Sequence, residues 1–198
     1  MARITFNMQK KWRRGKAVNK NWELIISGSG GQGAILAGII FAEAALADGY
    51  NVIQTQSYGP EARGGASRSE VLISSQELAY PKVQNCNLMV AMTQESLNKY
   101  AYMLADGGAL LTDQDIDTSA LNKNIKVFKA PIFATVEKMQ KPMVANILVL
   151  GILNAIAAIV QPEHLSAAIQ ARVPAATIST NLIALEEGTK IGKALVNA

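Results

Sequence analysis

One cysteine and one histidine in 198 residues set the first limits. Cys86 alone cannot close an internal disulfide, hold an iron–sulfur cluster or build a thiolate zinc site. It reads as a small buried hydrophobe between strand-like residues. His164 alone excludes a His-rich metal site. No nucleophile–base pair stands out, so no catalytic residue is expected in the chain. Repeats, low-complexity tracts and internal linkers are absent too, and residues 21–198 read as a single domain. Acidic side chains are missing from residues 1–20, which carry Arg3, Lys10, Lys11, Arg13, Arg14, Lys16 and Lys20. Beyond them stand 12 basic and 15 acidic residues, so a body of about −3 follows a basic arm. Such an arm suits a solvated leader, an acidic partner subunit, a membrane surface or nucleic acid, and no motif favours the last. No apolar segment follows the arm as a secretory signal would require, and a cytoplasmic protein is expected.

What is present is apolar: 49% of residues, with 15 glycines. The one long hydrophobic run, Met143–Val160, is bracketed by Pro142 and Pro162 and interrupted by Asn146, Gly151 and Asn154. At about 18 residues, with two asparagines, it reads as a buried helix and not as a membrane span. Glu23–Ser27 suits a buried strand that runs into GSGGQG and an Ala/Ile/Leu-rich helix over 34–46. Asn51–Thr55 is the next strand, which makes a βαβ unit with parallel strands. Strands follow at 67–74, 87–92, 109–112 and 125–130. Helices are expected at 94–104, 143–160, 163–172 and 177–195. The fold class is therefore α/β, a three-layer α/β/α sandwich with a mainly parallel or mixed sheet, residues 67–74 being the antiparallel candidate.

Gly28-Ser29-Gly30-Gly31-Gln32-Gly33 matches G-x-G-x-x-G between a strand and a helix. Glycines allow a tight turn there, and the helix start offers free N–H groups to anions such as phosphate. A dinucleotide site also needs an acid at the end of the second strand to hold the ribose. This chain has Ile53-Gln54-Thr55-Gln56 instead, and no Asp or Glu before Glu61. A stand-alone nucleotide- or dinucleotide-binding protein stays open as the alternative, as does a purely structural turn.

Ser27–Gly38 (SGSGGQGAILAG) and Gln54–Ser69 (QTQSYGPEARGGASRS), with Val71–Ser74 and Tyr80-Pro81-Lys82-Val83, together resemble the gamma subunit of 2-oxoacid:ferredoxin oxidoreductases. The SYGPEARGG loop at this distance from GxGGQG carries the specificity. That loop and Ala91-Met92-Thr93-Gln94-Glu95 are most similar to the 2-oxoglutarate group, with pyruvate-type and branched-chain enzymes as the alternatives. The resemblance covers about residues 23–160 and leaves the arm unexplained.

It implies a non-catalytic subunit of a complex that decarboxylates a 2-oxoacid oxidatively with coenzyme A, giving acyl-CoA, CO₂ and reduced ferredoxin. Thiamine diphosphate, magnesium and iron–sulfur clusters would be held by alpha, beta and delta-type partner subunits, with ferredoxin as the acceptor of the whole complex. A homodimer of the isolated chain is compatible with this. The gamma chain would close the active site and help to bind CoA. Gly30, Gly31, Gln32 and Gly33 would offer backbone N–H groups to its phosphates. Ser57 and Tyr58 would donate hydrogen bonds, and Arg63 and Arg68 would pair with phosphate oxygens. Against these stand an Arg63–Glu61 or interface pair, a structural ion pair at Arg68, and loop anchoring by Ser57 and Tyr58.

Overall fold

The computed structural model describes residues 21–57, 65–121 and 123–197. The basic arm lies outside the described residues, and so does the centre of the SYGPEARGG loop. β1 (Asn21–Ser29) leads through the glycine turn into α1 (Ala34–Ala47), and β2 (Asn51–Ser57) follows. β3 (Ala66–Ser74), β4 (Cys86–Ala91), α2 (Gln94–Tyr100), β5 (Leu104–Asp113) and β6 (Lys126–Ala130) complete the sheet region. α3 (Ile132–Lys138), α4 (Ala145–Ala157), α5 (Pro162–Arg172) and α6 (Ile178–Asn197) close the chain.

The six strands form one sheet in the order β2-β3-β1-β4-β5-β6. β1, β4, β5 and β6 are parallel neighbours, and β3 runs antiparallel to both β1 and β2. The antiparallel strand expected at 67–74 is thus present. β1 and β2 point the same way, as a βαβ unit requires, but β3 separates them. Its neighbours do not betray this in the sequence, because a strand inserted from a later segment leaves the β1–α1–β2 pattern unchanged.

Alternation along the strands supplies two unequal cores. Leu24, Ile26, Val71, Ile73, Leu88, Val90 and Leu111 face a thick layer of α1, α3, α4, α5 and α6. Ile25, Leu72, Met89 and Leu110 face α2 and the loops around Val83 and Ile116. Cys86 sits fully buried in the second core, where burial pushes its thiol up to about 12. The Met143–Val160 run is a buried helix, as its asparagines suggested, and no helix among the described residues is long and apolar enough to cross a membrane.

Two boundaries and one helix differ from expectation. The helix at 94–104 stops at Tyr100, passes through a 3-10 turn and becomes β5 at Leu104, well before residue 109. α3 was not expected; at seven residues it is too short to show helical periodicity in sequence. His164, on peripheral α5, meets Asp48 at 2.5 Å and pins the far end of α1, about 20 Å along that helix from the glycine turn. An open groove of about 480 Å³ beside it, floored by Ala47, Ala167, Ala168 and Ala171, is flanked by the Arg172–Glu43 ion pair.

Candidate functional site: the glycine turn at the sheet edge

The ends of β1 and β4 lie side by side, with Ser27 opposite Ala91 and Met92 N donating to Ser27 O at 2.9 Å. The last residue of β2, Ser57, stands opposite Arg68 of β3, and Arg68 is in turn opposite Ser27. One edge of the sheet therefore gathers the glycine turn, the end of β2, the root of the SYGPEARGG loop and the starts of α1 and α2. Open α/β sheets bind ligands at this kind of edge. Gly30 N donates to Gly65 O at 3.1 Å, which ties the turn directly to the returning end of the loop. Ala66 is held from the other side by Tyr100, whose hydroxyl donates to Ala66 O at 2.9 Å. Glu95 Oε1 accepts from Ala66 N at 3.3 Å.

Within the turn the four candidate residues divide. Gly30 N is engaged with Gly65, and Gln32 N donates to Ser29 O. Gln32 folds back over its own turn, its Oε1 accepting from Ser29 N at 2.8 Å. Gly31 (φ +93°) has no atom of the described residues within 4 Å of where a Cβ would stand. Gly33 (φ +75°) forms the N-cap of α1 without a side-chain cap. The N–H groups of Gly31, Gly33, Ala34, Ile35 and Leu36 have no backbone or capping acceptor among the described residues. The first turn of α1 holds no acid, so this cluster of donors carries the positive end of the helix dipole undiminished.

Ser57 lies on the same edge, two strands or about 10 Å across the sheet from the turn. Tyr58 and Arg63 lie outside the described residues. Arg68 is on the opposite face of the sheet from α1. Its Nη2 meets Glu70 Oε1 at 2.8 Å, and its guanidinium stacks over the Tyr100 ring at 4.9 Å. Glu70 also accepts from Val83 N at 3.0 Å. The structural ion pair weighed for Arg68 is therefore formed, and its Nε has no acceptor among the described residues. Gln54, on the strand whose end lacks the ribose-binding acid, donates its Nε2 to Ser69 Oγ at 2.8 Å.

One residue at the turn escaped the sequence reading. Asn146 of α4 is 5% exposed, and its Nδ2 donates to Gly33 O at 3.4 Å. A Cβ at Gly33 would stand 2.5 Å from that nitrogen. The signal was an amide in an apolar helix, which must find a partner where it is buried.

Comparison with known proteins gives the same reading as the motifs. The model of the family described as pyruvate ferredoxin/flavodoxin oxidoreductase matches residues 23–191. The chain belongs to this family. It is 40% identical to the 2-oxoglutarate synthase subunit KorC of Methanocaldococcus jannaschii, over 91% of this chain and 98% of that one. It is 41% identical to the gamma subunit of a keto/oxoacid ferredoxin oxidoreductase from Geobacter sulfurreducens. That structure superposes with a TM-score of 0.77, covering 87% of this chain and 99% of the other. The fold also recurs in the 2-oxoglutarate:ferredoxin oxidoreductase of Magnetococcus marinus, solved with 2-oxoglutarate, coenzyme A and succinyl-CoA bound. There the TM-score is 0.83 at 22% identity, over 90% of this chain but 32% of a longer one. As a family member the chain is a gamma-type subunit of an oxidoreductase complex, and it matches the KorC and gamma-subunit chains along nearly their whole length.

Proposed function

We propose that this chain is the gamma subunit of a 2-oxoglutarate:ferredoxin oxidoreductase and that its glycine turn receives phosphates of coenzyme A. The observation that carries the second half is the set of N–H groups of Gly31, Gly33, Ala34, Ile35 and Leu36, without an acceptor among the described residues and at the start of a 14-residue helix. Phosphates suit such a place because donors and dipole act together. Relatives named as 2-oxoglutarate synthase subunits support the choice of 2-oxoacid, and the Magnetococcus enzyme, which binds CoA, supports the choice of ligand.

On this reading Gly31 and Gly33 present backbone donors and Gln32 shapes the turn through Ser29. Ser57, Tyr58 and Arg63 would add hydrogen bonds and charge to the phosphates, and Arg68 supports the sheet through Glu70 and Tyr100. The chain's single cysteine cannot supply a cluster, so thiamine diphosphate, magnesium and iron–sulfur clusters belong to partner chains of alpha, beta and delta type. Thiamine diphosphate would supply the decarboxylation chemistry; this chain orients the thiol carrier and closes the site around it. Residues 21–198 act as one gamma-type domain, and the basic arm is an appendage to it.

The test uses the assembled complex, purified through a tag on this chain together with a thiamine-binding and a cluster-bearing partner. Gly31→Asp and Gly31→Asn make the same demand on backbone φ and differ in charge. Gly31→Asp is expected to raise the KM for CoA about ten-fold over Gly31→Asn, with the KM for 2-oxoglutarate unchanged. Equal KM values for the two variants would remove CoA phosphate from the turn.

A further inference from the structure

We infer that Asn146 is a positioning residue for this turn: it fixes the Gly33 carbonyl and so aims the Ala34 N–H of the same peptide group at the CoA phosphates. The inference rests on the CoA reading above and adds to it a residue 113 positions away in sequence.

An amide in a hydrocarbon core costs free energy unless both of its ends are bonded. Asn146 has both ends engaged. Nδ2 donates to Gly33 O, and Oδ1 accepts from Ile147 N at 3.0 Å, in the first turn of its own helix. The same Gly33 carbonyl accepts from Ala37 N at 2.9 Å, the bond that closes the first turn of α1. This peptide group is therefore held from two elements, and its plane, which contains the Ala34 N–H, sets the direction of that donor.

The other asparagine of α4 behaves differently. Asn154 bonds both ways to Val160 within its own helix–loop corner, at 2.9 Å and 3.1 Å, and reaches no distant element. Around Asn146 the helix is otherwise apolar, with Ile147, Leu148, Val149 and Leu150 all at most 1% exposed. Gly33 O keeps its Ala37 partner without help. An apolar residue at 146 would satisfy the fold, and what it would remove is the second hold on the turn.

The experiment measures KM for CoA, KM for 2-oxoglutarate and kcat in the assembled complex carrying Asn146→Ala or Asn146→Asp. Asn146→Ala is expected to raise the CoA KM about five-fold, the loss of one buried hydrogen bond, with the other two constants within about two-fold. Asn146→Asp keeps the shape and the bond from Ile147. It sets a negative charge beside the Gly33 carbonyl and the anion site, and is expected to raise the CoA KM further. Should Asn146→Ala fail to assemble, the Asp variant decides by the same constants. A lowered melting temperature with an unchanged CoA KM would overturn the inference and leave Asn146 a structural residue only. The Gly31 pair separates the two failures. If Gly31→Asp raises the CoA KM and neither Asn146 variant does, the CoA site stands and the positioning role falls. If the Gly31 variants do not differ, the CoA site falls and takes this inference with it.

Discussion

Two regions of this molecule depend on glycine for opposite reasons. In the turn, Gly31 takes φ +93° and has no atom of the described residues within 4 Å of its missing side chain. Where α4 crosses α6 the glycines are ordinary in backbone conformation and crowded. A Cβ on Gly188 would lie 2.0 Å from Leu148 O, one on Gly151 2.3 Å from Leu185 O, and one on Gly192 2.6 Å from Ile152 O. There the absent side chain is filled by the neighbouring backbone, and two helices approach closely enough for Cα–H to carbonyl contacts. In the turn the absence leaves an opening. Glycine that admits protein builds a fold, whereas glycine that leaves donors under open space builds a place for something else.

The contrast is broken most forcefully at the helix crossing. Gly188→Ala puts a methyl group against the backbone of α4, which no rotamer change relieves. It is expected to cost about 3 kcal/mol or more and to lower the melting temperature by roughly 10 °C. Chemical and thermal denaturation of the purified chain would read this. A loss below about 1 kcal/mol would mean that α6 can slide off α4 cheaply, and that the crowding is not what fixes its place.

Gly33 stands between the two classes, since it has φ +75° and also a filled neighbour in Asn146. Gly33→Ala combines strain with collision and is expected to cost about 2–3 kcal/mol. Asn146→Ala removes the obstacle and leaves the strain. In the double variant the two costs should therefore fall short of their sum by about 1 kcal/mol, measured as a double-mutant cycle of unfolding free energies. Strict additivity would show that the clash is relieved elsewhere and that Gly33 belongs wholly with the turn.

How much of this could be read beforehand follows the same division. GSGGQG between a strand and a helix is a local pattern, so the turn, its helix and its place at a sheet edge were visible in sequence. So was the antiparallel strand at 67–74. Its position between β1 and β2 was not, because strand order is a matter of distant pairing and Ser27 gives no sign that it faces Arg68. Arg68 drew attention as a cation near the edge. Its neighbour two residues on, Glu70, was the better guide, since alternation puts both on one face of the strand. Asn146 was read as an obstacle to a membrane span. Its use became clear only with Gly33 beside it, a contact that no periodicity encodes. The glycines of α6 passed unnoticed for the same reason: Gly188 and Gly192 look like ordinary weak points of a helix until α4 lies across them.

The smallest expected effect is the one that isolates the opening itself. Gly31→Ala meets no atom of the described residues, so its expected cost is backbone strain alone, about 1 kcal/mol, or roughly 2–4 °C in melting temperature. Gly49, just past the end of α1, has φ +84° and is equally uncrowded. Gly49→Ala should therefore cost the same. It sits at the opposite end of the helix, where no row of unpaired N–H groups collects. In the assembled complex only Gly31→Ala should change the KM for CoA, because only there does the added methyl enter space that a ligand uses. Equal stability losses with unequal CoA constants would separate the strain of a positive φ from occupancy above the turn. If Gly31→Ala instead cost as much stability as Gly188→Ala, the space above the turn would already be filled by this chain, and the difference between the two kinds of glycine would vanish.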